Sequence, residues 1–326
     1  MLTAPCVAGE GPDGGAEGVL VAEPVHGEGD KPLGDSTPDA PAEPRPPVRP
    51  AAVGRFEIVR LIAHGSCTRI YEVTAPHADG RRLVLKLLET DDDPASRWFE
   101  RAARVRGRLR HPHILPCLES GRHERRPYVV MPLVDGAGVQ EVVRAQALPE
   151  SADVVRITRA VASALDYAHG RGVMHGDVHP KHVLLDRTGH VWVTGFAEVG
   201  SGRPDSMCFG NPHHLAPEQL DGVEKTVPQT DVYALAEVTF LLLTGFFPFQ
   251  GVEGIVELFE RKRSGPVPDI LEHRPELPRA VDLTLRRAMA VRPEDRFRSA
   301  GQLVDELDSA LRSGSHGQRR WWQIWR

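Results

Sequence analysis

Between Gly54 and Leu311 the spacing of apolar residues changes once, from short strand-like runs to helical stripes, and few architectures accommodate that order. FEIVRLI (56–62), RIYEVTA (69–75) and RLVLKLL (82–88) are short, β-branched or aromatic runs separated by turn residues, which predicts an antiparallel meander. A helix is expected at Ser96–Arg110, with Trp98, Ala102, Val105 and Leu109 on one stripe. Two more strands are expected at Ile114–Glu119 and Tyr128–Pro132. From Glu150 onward the pattern is helical. Val154–His169 is amphipathic, Leu283–Met289 and Ala300–Leu311 read as surface helices, and Asp231–Thr244 is apolar almost all round, which predicts a buried central helix. The expectation is an α+β chain in two lobes: an antiparallel-sheet small lobe with one helix (54–132) and a mostly α-helical large lobe (133–312). A chain of 326 residues is too long for one small core, which suits that division.

The flanks differ in kind. Residues 1–52 hold ten Pro, eight Gly and no aromatic residue. Such a segment cannot bury enough apolar surface to offset its conformational entropy, so residues 1–53 are expected to form a disordered acidic arm. PDAPAEPRPPVRP (38–50) suits either a spacer or a polyproline II ligand. The arm carries nine acidic and three basic residues, net −6, whereas the remainder, with 36 acidic and 37 basic, is close to neutral. That balance argues against nucleic-acid binding. Cys6, Cys67, Cys117 and Cys208 form no CxxC pair, so neither a zinc knuckle nor a disulfide framework is indicated, and a reducing cytoplasm is the expected setting. No signal peptide and no membrane-spanning stretch is visible. The last segment, 313–326, ends QRRWWQIWR; its aromatic and basic residues, Arg319 to Arg326, suit contact with a membrane surface or an apolar groove, or folding back on the large lobe.

The stretch HGDVHPKHVLLDRTGHVWVTGFAEVG (175–200) places Asp177 in a turn ahead of two strand-like runs, as phosphate chemistry would. With VLKLL around Lys86, RHPHI (110–114), YVVMPLV (128–134), LAPEQL (215–220), Asp231 and RPEDRF around Arg296, the chain resembles bacterial serine/threonine protein kinases of the eukaryotic-like type over residues 54–312. The resemblance implies a nucleotide cleft. Ile62, Gly65 and Ile70 would lie over the nucleotide, Lys86 would grip the α- and β-phosphates, and the Pro132 carbonyl and Val134 N–H would face adenine. It also implies that His175 packs on Phe196, that Arg296 pairs with Glu218, and that Asp177 is the base or substrate-orienting group with Lys181 as a substitute γ-phosphate contact.

Departures from the pattern concentrate at the chemistry. The glycine-rich loop reads IAHGSCTRIY (62–71), with Ala63 and Thr68 in place of glycines; Thr68 would crowd the phosphate side. Ala102 falls where the helix glutamate should pair with Lys86, and Glu100, two residues away, points about 200° round the helix. Gly176 replaces the catalytic-loop arginine, His179 the lysine and His182 the metal-binding asparagine. Gly195-Phe196-Ala197 replaces the metal-binding Asp-Phe-Gly, and Asn211 the threonine that braces Asp177. Imidazole is a poor ligand for a hard cation. The resemblance therefore implies a catalytically impaired pseudokinase, a signalling scaffold or allosteric regulator for a protein partner, binding ATP weakly and without Mg²⁺; the metal ligands are expected to be none.

Two alternatives stand beside it: a weakly active serine/threonine kinase with non-standard metal coordination, and a small-molecule kinase, since HGDVHP is similar to the aminoglycoside-phosphotransferase pattern. Histidines 179, 182, 190, 213 and 214 either cluster round a zinc or manganese ion or fill vacated polar positions. Ser201 and Ser206 offer modification points. Arginines 97, 101, 104, 106, 108 and 110 form either a docking surface for an acidic or phosphorylated partner or a solvated helix face.

Overall fold

The computed structural model describes residues 51–65, 67–75, 81–91, 93–145, 148–197, 214–222, 225–252 and 254–313. Residues 1–50 of the arm, the Trp-rich end of the tail, Ser201, Ser206, Asn211 and His213 lie outside the described residues, and Ala52–Val53, expected to be disordered, form a strand.

The small lobe is an antiparallel sheet of β1 (Ala52–Val53), β2 (Phe56–His64), β3 (Thr68–Thr74), β4 (Leu83–Leu88), β5 (Glu119–His123) and β6 (Arg126–Pro132), ordered β1-β2-β3-β4-β6-β5. Alternation along the strands separates two faces. Phe56, Tyr71, Val73, Leu83, Leu85, Tyr128 and Val130 form one apolar cluster. Leu88 and Val129 pack on Trp98, Phe99 and Ala103 of α1 (Asp93–Arg106) in another.

Two small-lobe boundaries shift most from expectation, while α1 begins at Asp93 and not Ser96. The helix ends at Arg106, not Arg110, because Gly107 follows and the N–H groups of Arg108 and Leu109 turn back to Val105 O and Arg106 O at 3.0 and 3.1 Å, tightening the last turn. The strand expected at Ile114–Glu119 begins only at Glu119; Ile114 instead makes an isolated parallel bridge to Val193. ESGRH lacks apolar alternation and is held as an edge strand by its ladder to β6.

The large lobe comprises β7 (Gly136–Gly138), α2 (Val139–Arg144), α3 (Ser151–His169), β8 (Val183–Asp186), β9 (Val191–Val193), α4 (Pro228–Thr244), α5 (Ile255–Ser264), α6 (Arg279–Ala288) and α7 (Ala300–Arg312), with β7, β8 and β9 in one small sheet. Every residue of α4 from Thr230 to Thr244 is buried, as its apolar composition requires. Gly245, left-handed at φ 83°, ends it. Helices α6 and α7 are amphipathic: Val281, Leu285 and Ala288, and Leu303, Val304 and Leu307, join the core. Among the described residues no helix is long and apolar enough to cross a membrane.

Candidate functional site

The central helix positions the turn that carries Asp177. Asp231, in the first turn of α4 and fully buried, accepts hydrogen bonds from the N–H groups of His175 and Gly176, both at 2.8 Å, and from His169 Nε2 at 2.6 Å. The His175 ring accepts from Asp177 N through Nδ1 (3.2 Å), so its Nε2–H donates to Thr194 O (2.7 Å). Its face lies 4.6 Å from the Phe196 ring, joining the two turns as the resemblance implied. Burial lowers the basicity of His175 despite the charge of Asp231, consistent with a neutral ring. Gln219 adds a tie that the sequence did not signal: its Nε2 donates to Gly176 O at 2.9 Å while its Oε1 accepts from Ala216 N at 3.0 Å.

Asp177 does not face an open cleft alone. His182 Nε2 lies 3.3 Å from Asp177 Oδ2, and His182 Nδ1 lies 3.2 Å from Thr194 Oγ1. Burial opposes ionisation of Asp177, but the His182 hydrogen bond and charge and the charge of Lys181 outweigh it, holding the carboxyl far below the usual carboxylate range. The same imidazole borders Gly195. A β-carbon on Gly195 would stand 2.8 Å from His182 Nδ1 and 3.0 Å from its Cε1, and Gly195 adopts φ +84°, a conformation that favours glycine. The two positions are therefore complementary in volume: a ring at 182 fills the space from which side-chain atoms are absent at 195. That complementarity was visible in the sequence only as two separate departures.

The remaining described histidines do not assemble into a metal centre. Among the described residues no group of three or more His, Cys, Asp or Glu side chains is placed to hold an ion. His190 sits apart, bonded to Pro112 O at 2.9 Å and stacked on His113. His179 is buried, accepts from Lys181 N at 3.1 Å, and packs edge-on against His214 (4.1 Å), whose ring meets Phe247. Burial, then the neighbouring charges of His214, Lys181 and His182, push the His179 pKa down to about 2, so it cannot replace a phosphate-binding lysine with a positive charge. Lys181 is exposed beside Asp177.

The wall that the resemblance assigns to a nucleotide keeps its frame. Ile70 pairs with Lys86 across β3 and β4, and Lys86 pairs with Val129 of β6, so the three side chains share one face; Ile62 and Ile70 are half-buried. Leu133 N donates to Arg82 O at 3.0 Å. By alternation the Pro132 carbonyl points to the other edge, beyond the last β5–β6 pair at Glu119 and Val130, and Val134 follows two residues past the strand's end. Gly65 N donates to Thr68 O at 2.7 Å, and the buried Thr68 turns its Oγ1 to 2.9 Å from where a Gly65 β-carbon would lie, filling the turn. Glu89, at the end of β4, is bonded by both His64 (2.7 Å) and Arg69 (2.6 Å), clamping the loop's base. In α1, Ala102 is 4% exposed and brings no carboxylate to the cleft, while Glu100 pairs with Arg122 of β5.

Structural ion pairs complete the lobe. Arg296 reaches Glu218 bidentately at 2.7 and 2.8 Å and donates to the carbonyls of Ala290, Gln229 and Val291. Lys262 pairs with Glu237 at 2.8 Å, both side chains buried, and bonds Leu215 O. The second pair carried no sequence signal, because its partners lie on separate helices.

Residues 56–306 match the family model for the protein kinase domain. The chain is 33% identical over 267 residues to serine/threonine-protein kinase PknH of Mycobacterium bovis, covering 79% of this chain and 44% of that protein. It is 29% identical over 275 residues to probable serine/threonine-protein kinase PknB of Lactococcus lactis (82% and 43%), and 28% identical to PrkC of Bacillus subtilis (82% and 42%). The chain thus spans less than half the length of these relatives. The crystal structure of Rad53 1–466 in complex with AMP-PNP superposes with a TM-score of 0.65 at 20% identity, covering 77% of this chain and 64% of that one, a likeness of fold.

Proposed function

Because this chain belongs to the bacterial serine/threonine protein kinase family, we propose that it is a pseudokinase, a kinase fold that serves as a signalling scaffold or allosteric regulator. The observation that carries this reading is the position of His182. Its imidazole engages Asp177, occupies the space beside Gly195, and brings nitrogen where a hard cation requires oxygen. The residues present do not fit a magnesium ion: position 195 has no donor, and the nitrogens at 182 are already bonded to Asp177 and Thr194.

Family membership implies an ATP site, and the hinge edge at Pro132 and Val134 with Lys86 supports weak, metal-independent nucleotide binding. Phosphoryl transfer depends on positioning and charge neutralisation. Each preorganised stabiliser is worth on the order of 10²–10³ in rate. Loss of both metal ligands costs roughly 10⁴-fold or more, against about 1–100 s⁻¹ for a working kinase. The Glu218–Arg296 pair and the kinase relatives favour the protein-kinase branch over a small-molecule phosphotransferase.

One observation favours a second reading, a slow serine/threonine kinase: Asp177 is retained and held ionised, with the Lys181 ammonium nearby. Incubation of the protein with labelled ATP and Mg²⁺ or Mn²⁺, alongside Asp177→Asn and Lys86→Met, separates the two. No transfer is expected from any of the three. Transfer by the wild type that disappears in both variants overturns the pseudokinase reading.

A further inference from the structure

The described chain starts beside a basic surface. Ala51 O accepts from Ile58 N at 3.0 Å, and the β1–β2 turn that follows leans on the β5–β6 hairpin: Gly54 N donates to His123 Nδ1 at 3.2 Å and Arg55 pairs with Glu119. At the tip of that hairpin Glu124 and Arg125 both adopt positive φ, 47° and 69°. Such turns favour asparagine and glycine. Here the pair presents the exposed Arg125 at the tip.

The hairpin continues onto α1 through the Glu100–Arg122 pair. At about 100° per residue, Arg101 and Arg104 of α1 fall within roughly 60° of each other, next to Glu100, and Arg108 follows just past the helix end; all three are exposed. Asp91 and Asp92 precede the helix and Asp93 opens it, so the net positive stretch runs from Arg101 toward Arg108 and the hairpin. The acids inside it are matched: Glu100 by Arg122, Glu119 by Arg55 and Glu124 by Arg126.

We infer that this surface of α1 and the β5–β6 hairpin is the intramolecular docking site for the chain's own acidic segment, residues 10–43. That segment holds all nine acids of the first 52 residues against one lysine, and so carries the complementary charge. Its last acid, Glu43, is eight residues from Ala51, a reach of about 26 Å when extended. Tethering raises the local concentration of such a segment to about the millimolar range, enough for a weak electrostatic contact to be occupied.

A competition experiment on full-length protein tests this. A fluorescent peptide of residues 10–43 is titrated into three chains: the wild type; a chain with the nine arm acids changed to Asn or Gln; and that chain with Arg101→Glu, Arg104→Glu and Arg108→Glu added. Circular dichroism and melting temperature verify that all three fold. At low salt the neutralised chain is expected to bind the peptide at least about tenfold more tightly than the wild type, whose own arm competes. The arginine reversals are expected to abolish binding, and about 0.5 M salt to suppress it. Equal binding by wild type and neutralised chain overturns the inference and assigns the surface to an acidic partner from outside. Absent binding by the neutralised chain, or binding indifferent to the reversals, overturns it outright.

Discussion

The His182 ring stands where a side chain at Gly195 would begin: Nδ1 is 2.8 Å from the β-carbon position. Two features that the active family pattern assigns to metal binding are therefore coupled: a side chain at 195 cannot be restored without overpacking while His182 stays.

Gly195→Asp by itself is expected to destabilise the protein by about 2–4 kcal/mol, combining the cost of a left-handed non-glycine residue with overpacking. In the presence of His182→Asn the overpacking part is expected to vanish. A double-mutant cycle by urea denaturation should give a coupling of at least about 1 kcal/mol. Simple additivity contradicts the interlock.

Asp177 has a depressed folded-state pKa. Its stabilising contribution is therefore complete above the ordinary carboxylate pKa of about 4 and fades as pH falls toward the lower folded value. Near neutral pH, Asp177→Asn is expected to cost about 1.5–3 kcal/mol, the range for a hydrogen bond to a charged group. Denaturation curves from pH 6 down to pH 3 should show the gap between wild type and variant narrowing only below about pH 4. A gap that widens on acidification is incompatible with a carboxylate held ionised.

Arg296→Ala leaves Glu218 half-buried without its bidentate partner and removes three carbonyl contacts. The expected loss is about 3–5 kcal/mol, the scale for breaking one side of a buried pair. Because Arg296 lies away from the cleft, any nucleotide affinity measured below the new melting temperature should stay within about twofold of the wild type.

Asp231→Asn retains the shape but loses one of two acceptors for the His175 and Gly176 N–H groups, and weakens the His169 contact. A loss of about 1–3 kcal/mol is expected, the penalty for a buried donor left unpaired, with faster amide exchange in the turn at His175 and Gly176. Unchanged exchange at His175 and Gly176 contradicts this role for Asp231.

The frame of the fold was legible because its signals are local. Apolar alternation marks β2, β3 and β4, and unbroken apolar residues mark α4. The losses at positions 182 and 195 were equally plain, since a motif shows what is missing. Less legible were the elements held by tertiary context. Strand β5 is polar and exists through its ladder to β6, and α5 exposes Ile255 and Val256 while burying Leu258 and Lys262. What occupies a vacated site is a question of three-dimensional volume: no spacing in the sequence reveals that His182 bonds Asp177 and fills the space beside Gly195.

Calorimetric titration of ATP into the full chain, once in EDTA and once with about 10 mM Mg²⁺, tests the central claim most directly, because a coordinated cation is a favourable ligand contribution that linkage must reveal. The expected result is that Mg²⁺ leaves the binding isotherm unchanged within about twofold, including the case of no heat in either buffer. Tightening of about tenfold or more by Mg²⁺, abolished by Asp177→Asn, would contradict the account.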